Sequence, residues 1–422
     1  MNPLLDKRRR ALNLRGVLYL AVLLSCLALI ALDFRPTVRI NTWSLSYVTL
    51  AMNGRQGLNV LPAPPEGHRR GLIWLAAEAI EVGEPERALA MLSDNLARKD
   101  PDALRIQGKA FAEAGKYDEA VASWVWAGDY PSLAQGANKA ESENRVDFAE
   151  LAYRGAWQVD PLLGSIPLAN FLWHVRGDPG AAEQILRQGL AVGGSTHINR
   201  LRTLGLVLQA QSKWDQAIAV FDQALEEKPD DQYTMQLIGY AYADGRQDYA
   251  RAQGVFERMI ELAPDEGQGY LAMGQLFERQ GRYDEADQWL VQALMKAPDD
   301  PWYWVARANV LRKAQKILPS LEIYRQAVAR FPEFAPAYFE MAWACRLANQ
   351  PEEAIRSIRD ALERQERPDP WYLVRAGEIY EWAGDIDSAR AAYRQSLKII
   401  PANPAATGVA LDALDRLDVN GE

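Results

Sequence analysis

Residues 267–300 read GQGYLAMGQLFERQGRYDEADQWLVQALMKAPDD, and this stretch decides the fold. Small and large side chains recur in it at helical spacing. The small ones are Gly274, Ala286 and Ala293, and the large ones are Tyr270, Phe277, Tyr283 and Leu290. Small residues allow two helices to approach closely, while large ones fill the space between them. Pro298 ends the second helix because proline cannot continue the hydrogen-bond ladder. The stretch therefore predicts a hairpin of two packed helices.

This pattern recurs along the chain with a period close to 34 residues. Six prolines are spaced by 35, 34, 34, 36 and 33 residues: Pro229, Pro264, Pro298, Pro332, Pro368 and Pro401. Two further series of small residues keep step with them, namely Ala217, Ala252, Ala286, Ser320, Ala354 and Ala389, and Gly205, Gly239, Gly274, Ala308, Ala342 and Gly377. Because one hairpin cannot bury its apolar face alone, the period predicts a solenoid of stacked hairpins.

The repeat resembles the tetratricopeptide repeat family, whose signature is W-x2-L-G-x2-Y, then A-x3-F, then P. Residues 267–300 match it with Tyr270, Met273, Gly274, Phe277, Ala286, Leu290 and Pro298. The resemblance implies an all-α fold, with a superhelix of about ten hairpins over residues 69–403 and a capping helix and tail over 404–422. The expected starts of the hairpins lie near residues 69, 101, 130, 163, 198, 232, 267, 301, 335 and 370. The signature glycine is lost within residues 130–197, so the boundaries there stay open.

A different kind of segment precedes the repeats. No charged residue occurs from Gly16 to Leu32. As a helix this run is roughly 26 Å long, at the short end of a bilayer crossing, and we predict a single transmembrane anchor at residues 16–33. A cleaved signal peptide is the first alternative, but the segment that follows, ALDFRPTVR, lacks the small residues of a cleavage site. A lipid on Cys26, in the stretch LLSC, is the second alternative, although six apolar residues follow that cysteine.

The charges around the apolar run predict its orientation. Residues 1–15 form a basic segment with five positive charges, so the positive-inside rule places them in the cytoplasm. The repeats then lie outside the cytoplasm, on a chain that crosses the plasma membrane once. Residues 34–68 are expected to be a juxtamembrane segment and a proline-rich linker, LPAPPEG at 61–67, which acts as a semi-rigid spacer.

Charge and motif content narrow the possible functions. Residues 1–68 hold eight Lys and Arg against three acids, so the net charge of −9 leaves −14 on residues 69–422. An acidic body argues against nucleic acid as a partner. His68, His174 and His197 have no second ligand at metal-binding spacing, and no nucleotide-binding or nucleophile motif is present. We therefore expect no catalytic residue, no metal and no cofactor, and a protein that is not an enzyme.

The family resemblance also implies where a partner would bind. In tetratricopeptide repeats the first helix of each hairpin lines a concave face. The inward positions that the signature does not use are Tyr240, Gln275, Trp302, Asn309, Arg312, Phe339, Trp343, Arg346, Trp371, Glu378 and Trp382. Four of the 13 tryptophans are in this set. These side chains are either packing groups between repeats or an aromatic groove with polar hydrogen-bonding groups.

Three functions are compatible with this pattern. The first is a membrane-tethered, non-enzymatic scaffold that binds a protein partner as an extended peptide in its groove and assists the assembly or organisation of an envelope or membrane complex. The second is an envelope factor that binds polysaccharide, with tryptophans stacked on sugar rings. The third is a structural accessory subunit of a larger membrane complex.

Overall fold

The computed structural model describes residues 69–92, 100–194, 197–365, 369–399 and 404–419, together with Ser44. In these ranges the secondary structure is helical, with 21 α-helices and no strand. The helices are α1 (Arg69–Glu81), α2 (Pro85–Met91), α3 (Pro101–Glu113), α4 (Tyr117–Ala127), α5 (Tyr130–Ser142), α6 (Val146–Val159), α7 (Pro161–His174), α8 (Pro179–Val192), α9 (His197–Ala210), α10 (Trp214–Glu227), α11 (Gln232–Tyr240), α12 (Tyr249–Leu262), α13 (Gly267–Arg279), α14 (Tyr283–Lys296), α15 (Pro301–Lys313), α16 (Ile317–Arg330), α17 (Ala335–Leu347), α18 (Pro351–Glu363), α19 (Pro370–Trp382), α20 (Ile386–Ser396) and α21 (Pro404–Val419).

Helices α1 to α20 pair into ten hairpins, numbered 1 to 10 in chain order, and α21 packs against α19 and α20. The prediction of an all-α solenoid of repeats is confirmed. The hairpins begin at residues 69, 101, 130, 161, 197, 232, 267, 301, 335 and 370, and this series resolves the boundaries left open between residues 130 and 197. The chain divides into two compact units, residues 1–134 and residues 135–422, and the groove described below lies within the second.

The predicted anchor at residues 16–33, with Cys26, lies outside the described residues. So do residues 1–15, and, apart from Ser44, residues 34–68. Of the helices that the structure does describe, none combines the length and the apolar character needed to cross a bilayer.

Each hairpin turns at one residue in the left-handed region of backbone space. The ten residues are Gly83, Gly115, Asn144, Gly177, Ser212, Gln247, Gly281, Gln315, Asn349 and Gly384. The turn also satisfies carbonyl groups at the end of the first helix. For example, the Arg282 N–H donates to the Phe277 carbonyl at 2.9 Å, and the Gly281 N–H donates to the Glu278 carbonyl at 2.9 Å. Glycine adopts this conformation without a steric penalty, and polar residues such as asparagine tolerate it better than branched ones.

The two helices of a hairpin touch where a small residue of the first faces a large residue of the second. Gly205 faces Phe221, which lies sixteen positions later and is fully buried. A Cβ atom added at Gly205 would lie 2.1 Å from Phe221 Cε1. The same contact joins Gly377 to Tyr393, where the corresponding distance is 2.5 Å. The signature glycine is therefore required by close packing.

Hairpin 6 contains one extra residue between its two helices. The pair Gly239 and Phe256 is seventeen positions apart instead of sixteen, yet an added Cβ at Gly239 would still meet the Phe256 ring at 2.1 Å. A π-helical turn, Ala241–Gly245, follows α11 and absorbs the insertion. The packing of the hairpin is thus preserved, and Asp244 is placed within the turn.

Five ion pairs of one kind join neighbouring hairpins near the starts of their second helices. A basic residue at the turn of one hairpin bonds to an acid in the first turns of the second helix of the preceding hairpin. The pairs and distances are Lys116–Glu86 at 3.1 Å, Arg176–Asp147 at 2.6 Å, Lys213–Glu183 at 2.7 Å, Arg246–Asp215 at 2.7 Å and Lys316–Asp284 at 2.6 Å. Exposed pairs of this kind each contribute little to the free energy of folding.

A more buried polar contact joins hairpins 5 and 6. Asp231 caps α11 by accepting from the Thr234 N–H at 2.8 Å and from the Thr234 hydroxyl at 2.6 Å, and it is also paired with Arg202 of α9. Burial alone would raise the pKa of Asp231, but the hydrogen bonds from Thr234 and Arg202 outweigh it and lower that pKa to about 2.

We expect Gly205→Ala and Gly254→Ala to change stability in opposite directions. Gly205→Ala should lower the free energy of unfolding by roughly 1–3 kcal/mol, because the methyl group overlaps the Phe221 ring. Gly254 lies in α12 with no atom within 4 Å of an added Cβ. Alanine there should raise stability by up to about 1 kcal/mol through helix propensity. Denaturation of the full chain followed by circular dichroism measures both. Equal effects would disprove the close-packing role of Gly205.

We expect Asp231→Asn to lower the thermal midpoint at neutral pH and to lower it less at acidic pH. The depressed pKa of Asp231 means that its contribution is complete above about pH 4 and is lost as pH falls towards 2. The difference in midpoint between wild type and Asp231→Asn should shrink over that window. Asp230→Asn, at an exposed neighbouring position, is the matched control and should differ little from wild type at any pH. A difference in thermal midpoint that stays constant from pH 5 to pH 2 would contradict the lowered pKa of Asp231.

Candidate functional site

Three adjoining clefts follow the first helices of hairpins 6 to 10. Cleft 1 has a volume of about 360 Å³ and is lined by Tyr240, Gln275, Glu278, Arg279, Tyr283 and Lys313. Cleft 2 has a volume of about 460 Å³ and is lined by Leu271, Gln275, Glu278, Trp302, Val305, Ala306, Asn309, Arg312, Lys313 and Glu340. Cleft 3 has a volume of about 450 Å³ and is lined by Phe339, Glu340, Asp369, Trp371, Tyr372 and Arg375. Neighbouring clefts share residues, so together they form one groove.

Seven of the eleven predicted positions line this groove: Tyr240, Gln275, Trp302, Asn309, Arg312, Phe339 and Trp371. Trp302 is 55% exposed and Trp371 is 38% exposed, whereas Phe339 is only 4% exposed and belongs mainly to the core. Trp343, Arg346, Glu378 and Trp382 lie on the same two helices, α17 and α19, but do not line the three clefts.

The charged residues of the groove were not in the predicted set, apart from Arg312. They are Glu278, Arg279, Lys313, Glu340, Asp369 and Arg375. Several lie three or four positions after a predicted residue on the same helix, as Glu278 and Arg279 follow Gln275. These charged residues could therefore have been predicted from the sequence, because residues three or four positions apart lie on the same face of a helix.

Ion pairs connect consecutive first helices along the groove. Arg279 bonds to Asp244 in the π-helical turn, with 2.6 Å between Nε and Oδ1. Lys313 pairs with Glu278. The Arg312 guanidinium lies 3.3 Å from Glu340, so α15 is also joined to α17. These pairs balance most of the charge within clefts 1 and 2.

Two amide side chains in the groove are held by tyrosine hydroxyls. Tyr240 donates to the Gln275 side-chain oxygen and accepts from Gln236 Nε2 at 3.1 Å. Tyr324 donates to Asn309 Oδ1 at 2.8 Å. Burial raises the pKa of both phenols, which keeps them protonated as donors. Because each amide oxygen already has a donor, the NH2 groups of these two amides are the groups left to bind a ligand.

Aromatic side chains line clefts 2 and 3. Phe339 packs edge to face on Tyr372, with ring centroids 4.3 Å apart. Trp302 contacts Phe334 edge to face at 4.9 Å, which supports its exposed indole. In the last turn of α17, Arg346 lies 4.9 Å from the Trp343 ring centroid and 6.0 Å from that of Trp382. These rings provide rigid apolar surface for binding.

Neither a cluster of metal ligands nor an ionised thiol occurs among the described residues. No group of three or more His, Cys, Asp or Glu side chains among them could hold a metal ion. Cys345 is fully buried in α17, and burial raises the pKa of its thiol to about 12. A thiol in that state is protonated at neutral pH and is a poor nucleophile.

Comparison with known proteins agrees with this architecture. Models of the tetratricopeptide repeat match residues 75–131, 202–247, 243–310, 305–370 and 348–404, which together cover more than half of the chain. Among solved structures, yeast Tom70 has a TM-score of 0.54 at 14% identity and covers 90% of this chain and 96% of its own. At that identity the likeness concerns the fold alone.

Two curated proteins are similar in sequence. Cellulose synthase operon protein C of Pseudomonas fluorescens (strain SBW25) is 26% identical over 376 residues, which are 83% of this chain and 27% of that protein. Protein O-mannosyl-transferase TMTC3 of Homo sapiens is 23% identical over 216 residues, which are 48% of this chain and 24% of that protein. The chain thus spans about a quarter of the length of these relatives.

Proposed function

The chain belongs to the tetratricopeptide repeat family, and on this basis we propose that it is a non-enzymatic scaffold that binds an extended segment of a partner protein in the groove. Folds of this family bind protein or peptide partners and are typically not catalytic. The bound segment would lie along clefts 1 to 3, across the first helices of hairpins 6 to 10.

The pair of oriented amides is the observation that supports a peptide ligand most strongly. An extended peptide presents main-chain carbonyl oxygens that need hydrogen-bond donors when they leave water. Gln275 and Asn309 offer NH2 donors on successive first helices, and Tyr240 and Tyr324 hold the amide oxygens in place. Since the amides are oriented before the ligand arrives, less side-chain freedom is lost on binding.

The apolar part of cleft 2 would accept a side chain of the same ligand. Leu271, Val305 and Ala306 line it beside the exposed indole of Trp302. A bulky apolar side chain inserted there would bury its surface against these groups, as anchor residues do at interfaces. The groove therefore combines main-chain recognition by amides with side-chain recognition by an apolar pocket.

A polysaccharide ligand is the second candidate. It is supported by the similarity to cellulose synthase operon protein C across 83% of this chain and by the exposure of Trp302 and Trp371. Flat indole rings can stack on the apolar faces of sugars. In this proposal the oriented amides would bind sugar hydroxyl groups.

We expect the full chain to select extended peptides from a random twelve-residue library, and Asn309→Asp to weaken the selected peptides at least about tenfold. Aspartate keeps the acceptor for Tyr324 and Arg312 but replaces the NH2 donor with an oxygen that repels peptide carbonyls. Gln223→Glu, at an exposed position of α10, is the matched control and should bind as wild type does. Affinity is measured by calorimetry. Binding of cellohexaose, with no peptide selected, would overturn the peptide proposal in favour of the sugar.

We also propose that residues 16–33 tether the scaffold to the plasma membrane, with the repeats outside the cytoplasm, where it assists assembly of an envelope or membrane complex. The support is the apolar run Gly16 to Leu32 behind a basic segment. A reporter fused after Glu422 should be active only outside the cytoplasm. Neutral residues in place of Lys7, Arg8, Arg9 and Arg10 should weaken or invert that orientation. A reporter active only in the cytoplasm would contradict the proposed topology.

A further inference from the structure

Trp126 is the most exposed large hydrophobic residue that the structure describes, with 78% of its surface accessible. It lies in the last turn of α4, the second helix of hairpin 2. Its neighbour Trp124 is different, because that indole is buried and its Nε1 donates to the Arg105 carbonyl at 3.2 Å. Trp124 therefore packs the hairpin, whereas Trp126 faces solvent and indicates a binding role.

Other hairpins carry polar residues at the position of Trp126. Trp126 follows Ala120, the fully buried small residue of α4, by six positions. The residues six positions after the corresponding small residue of the other hairpins are Asp94, Gly155, Gln188, Gln223, Arg258, Gln292, Gln326, Asp360 and Gln395. None of them is a large hydrophobic residue, so the repeat itself does not require a tryptophan at this position.

Trp126 lies at the edge of hairpins 1 and 2 that is connected to the N-terminal segment. The two helices of a hairpin are antiparallel, so first helices begin and second helices end at the same edge. We call it the linker edge, since Arg69 begins α1 there and Trp126 lies in the last turn of α4. Only residues 34–68 separate this edge from the proposed anchor, and those 35 residues can span at most about 120 Å. Hairpins 1 and 2 are thus the repeats that follow the tether directly.

The linker edge carries balanced charge. Its charged residues in the described ranges are Arg69, Arg70, Asp100, Asp102, Arg105 and Asp129. Arg105 pairs with both Asp102 and Asp129, at 2.8 Å each. The opposite edge, where the helices turn, holds the acids Glu78, Glu81, Glu84, Glu86, Glu113, Asp118 and Glu119 against Arg87 and Lys116. A bilayer that contains anionic lipid therefore repels the turn edge but not the linker edge.

The surroundings of Trp126 suit a lipid surface better than a protein surface. Ala122, one turn earlier on α4, and Gly128, which follows the helix, are both small and exposed. A tryptophan at the centre of a protein interface is surrounded by further contacts that exclude water. An indole at a bilayer surface needs no such contacts, because lipids adapt to its shape while its N–H stays among the headgroups.

We propose that Trp126 inserts into the headgroup region of the bilayer to which the chain is tethered and holds hairpins 1 and 2 against the membrane surface. The inference rests on the proposed tether at residues 16–33 and adds a second contact with the same membrane. A single indole binds a bilayer weakly. The tether makes this contact intramolecular, so a weak affinity is sufficient.

The test places a photoreactive group at position 126 of the full chain. Trp126→p-benzoylphenylalanine keeps an aromatic side chain, and its ketone bonds to nearby C–H groups when illuminated. The protein is reconstituted in phosphatidylcholine vesicles, with and without phosphatidylglycerol, and mass spectrometry identifies the adducts. Gln292→p-benzoylphenylalanine is the matched control, because Gln292 occupies the same position in hairpin 7. We expect lipid adducts at position 126 in at least about tenfold excess over position 292.

A second measurement uses the natural tryptophan. Lipids that are brominated on the acyl chain near the headgroup quench the fluorescence of tryptophans in contact with them. Trp126→Gln introduces the residue that five other hairpins carry at this position, and it should lower the lipid-quenched intensity. Trp302→Gln removes an exposed tryptophan of the groove and should leave that intensity unchanged. Circular dichroism checks that the helices of each variant are intact.

The outcomes separate this inference from the tether on which it rests. Extraction of cell membranes with alkaline carbonate shows whether the wild-type chain is anchored. In an anchored chain, position 126 could form no more lipid adducts than position 292, or could bond instead to a second copy or, in cell membranes, to another protein. Either result overturns the inference and leaves the tether standing. Release of the chain by carbonate overturns the tether, and the inference with it.

Discussion

The whole architecture depends on the close approach of two helices within each hairpin. A residue without a side chain, or with a single methyl group, faces a large side chain that lies sixteen positions later, as Gly205 faces Phe221. This contact brings the helices together and makes the hairpin a unit of fixed shape. Units of fixed shape can stack, and stacking buries the apolar faces that a single hairpin leaves exposed.

The same contact explains how the fold accommodates an inserted residue. Hairpin 6 has one extra residue, and the π-helical turn at Ala241–Gly245 absorbs it so that Gly239 still meets Phe256. The adjustment has a consequence for the groove, because Asp244 of that turn pairs with Arg279 of the next hairpin. The π-helical turn that preserves the packing of hairpin 6 thus also places the carboxylate of Asp244 at the candidate site.

The groove is a product of stacking. Tyr240 and Gln275 are 35 residues apart in sequence, and Arg312 and Glu340 are 28 apart, yet each pair bonds across neighbouring first helices. Ion pairs leave the middle of the groove nearly neutral, and tyrosine hydroxyls hold its two amide side chains. The end on hairpins 9 and 10 is different, because Arg346 and Arg375 rest on aromatic rings.

The sequence by itself determined the helical hairpin, its period and the helices that form the groove. These properties follow from local spacing of small, large and breaking residues such as Gly274, Leu290 and Pro298, which act within one repeat. The family resemblance, rather than the spacing alone, implied eleven groove positions, and seven of these residues line the clefts, including Trp302 and Asn309. It could not separate the exposed Trp371 from the buried Phe339, because both occupy inward positions of a first helix.

Only the tertiary structure decided which charged side chains of the groove form ion pairs and which do not. Whether an arginine meets a carboxylate depends on the distance between helices of different repeats, and that distance is set by packing between hairpins. Arg312 and Arg346 both lie in the last turn of a first helix, yet one bonds to Glu340 and the other stacks on Trp343. The orientation of Asn309 by Tyr324 likewise exists only once the two helices of a hairpin are packed together.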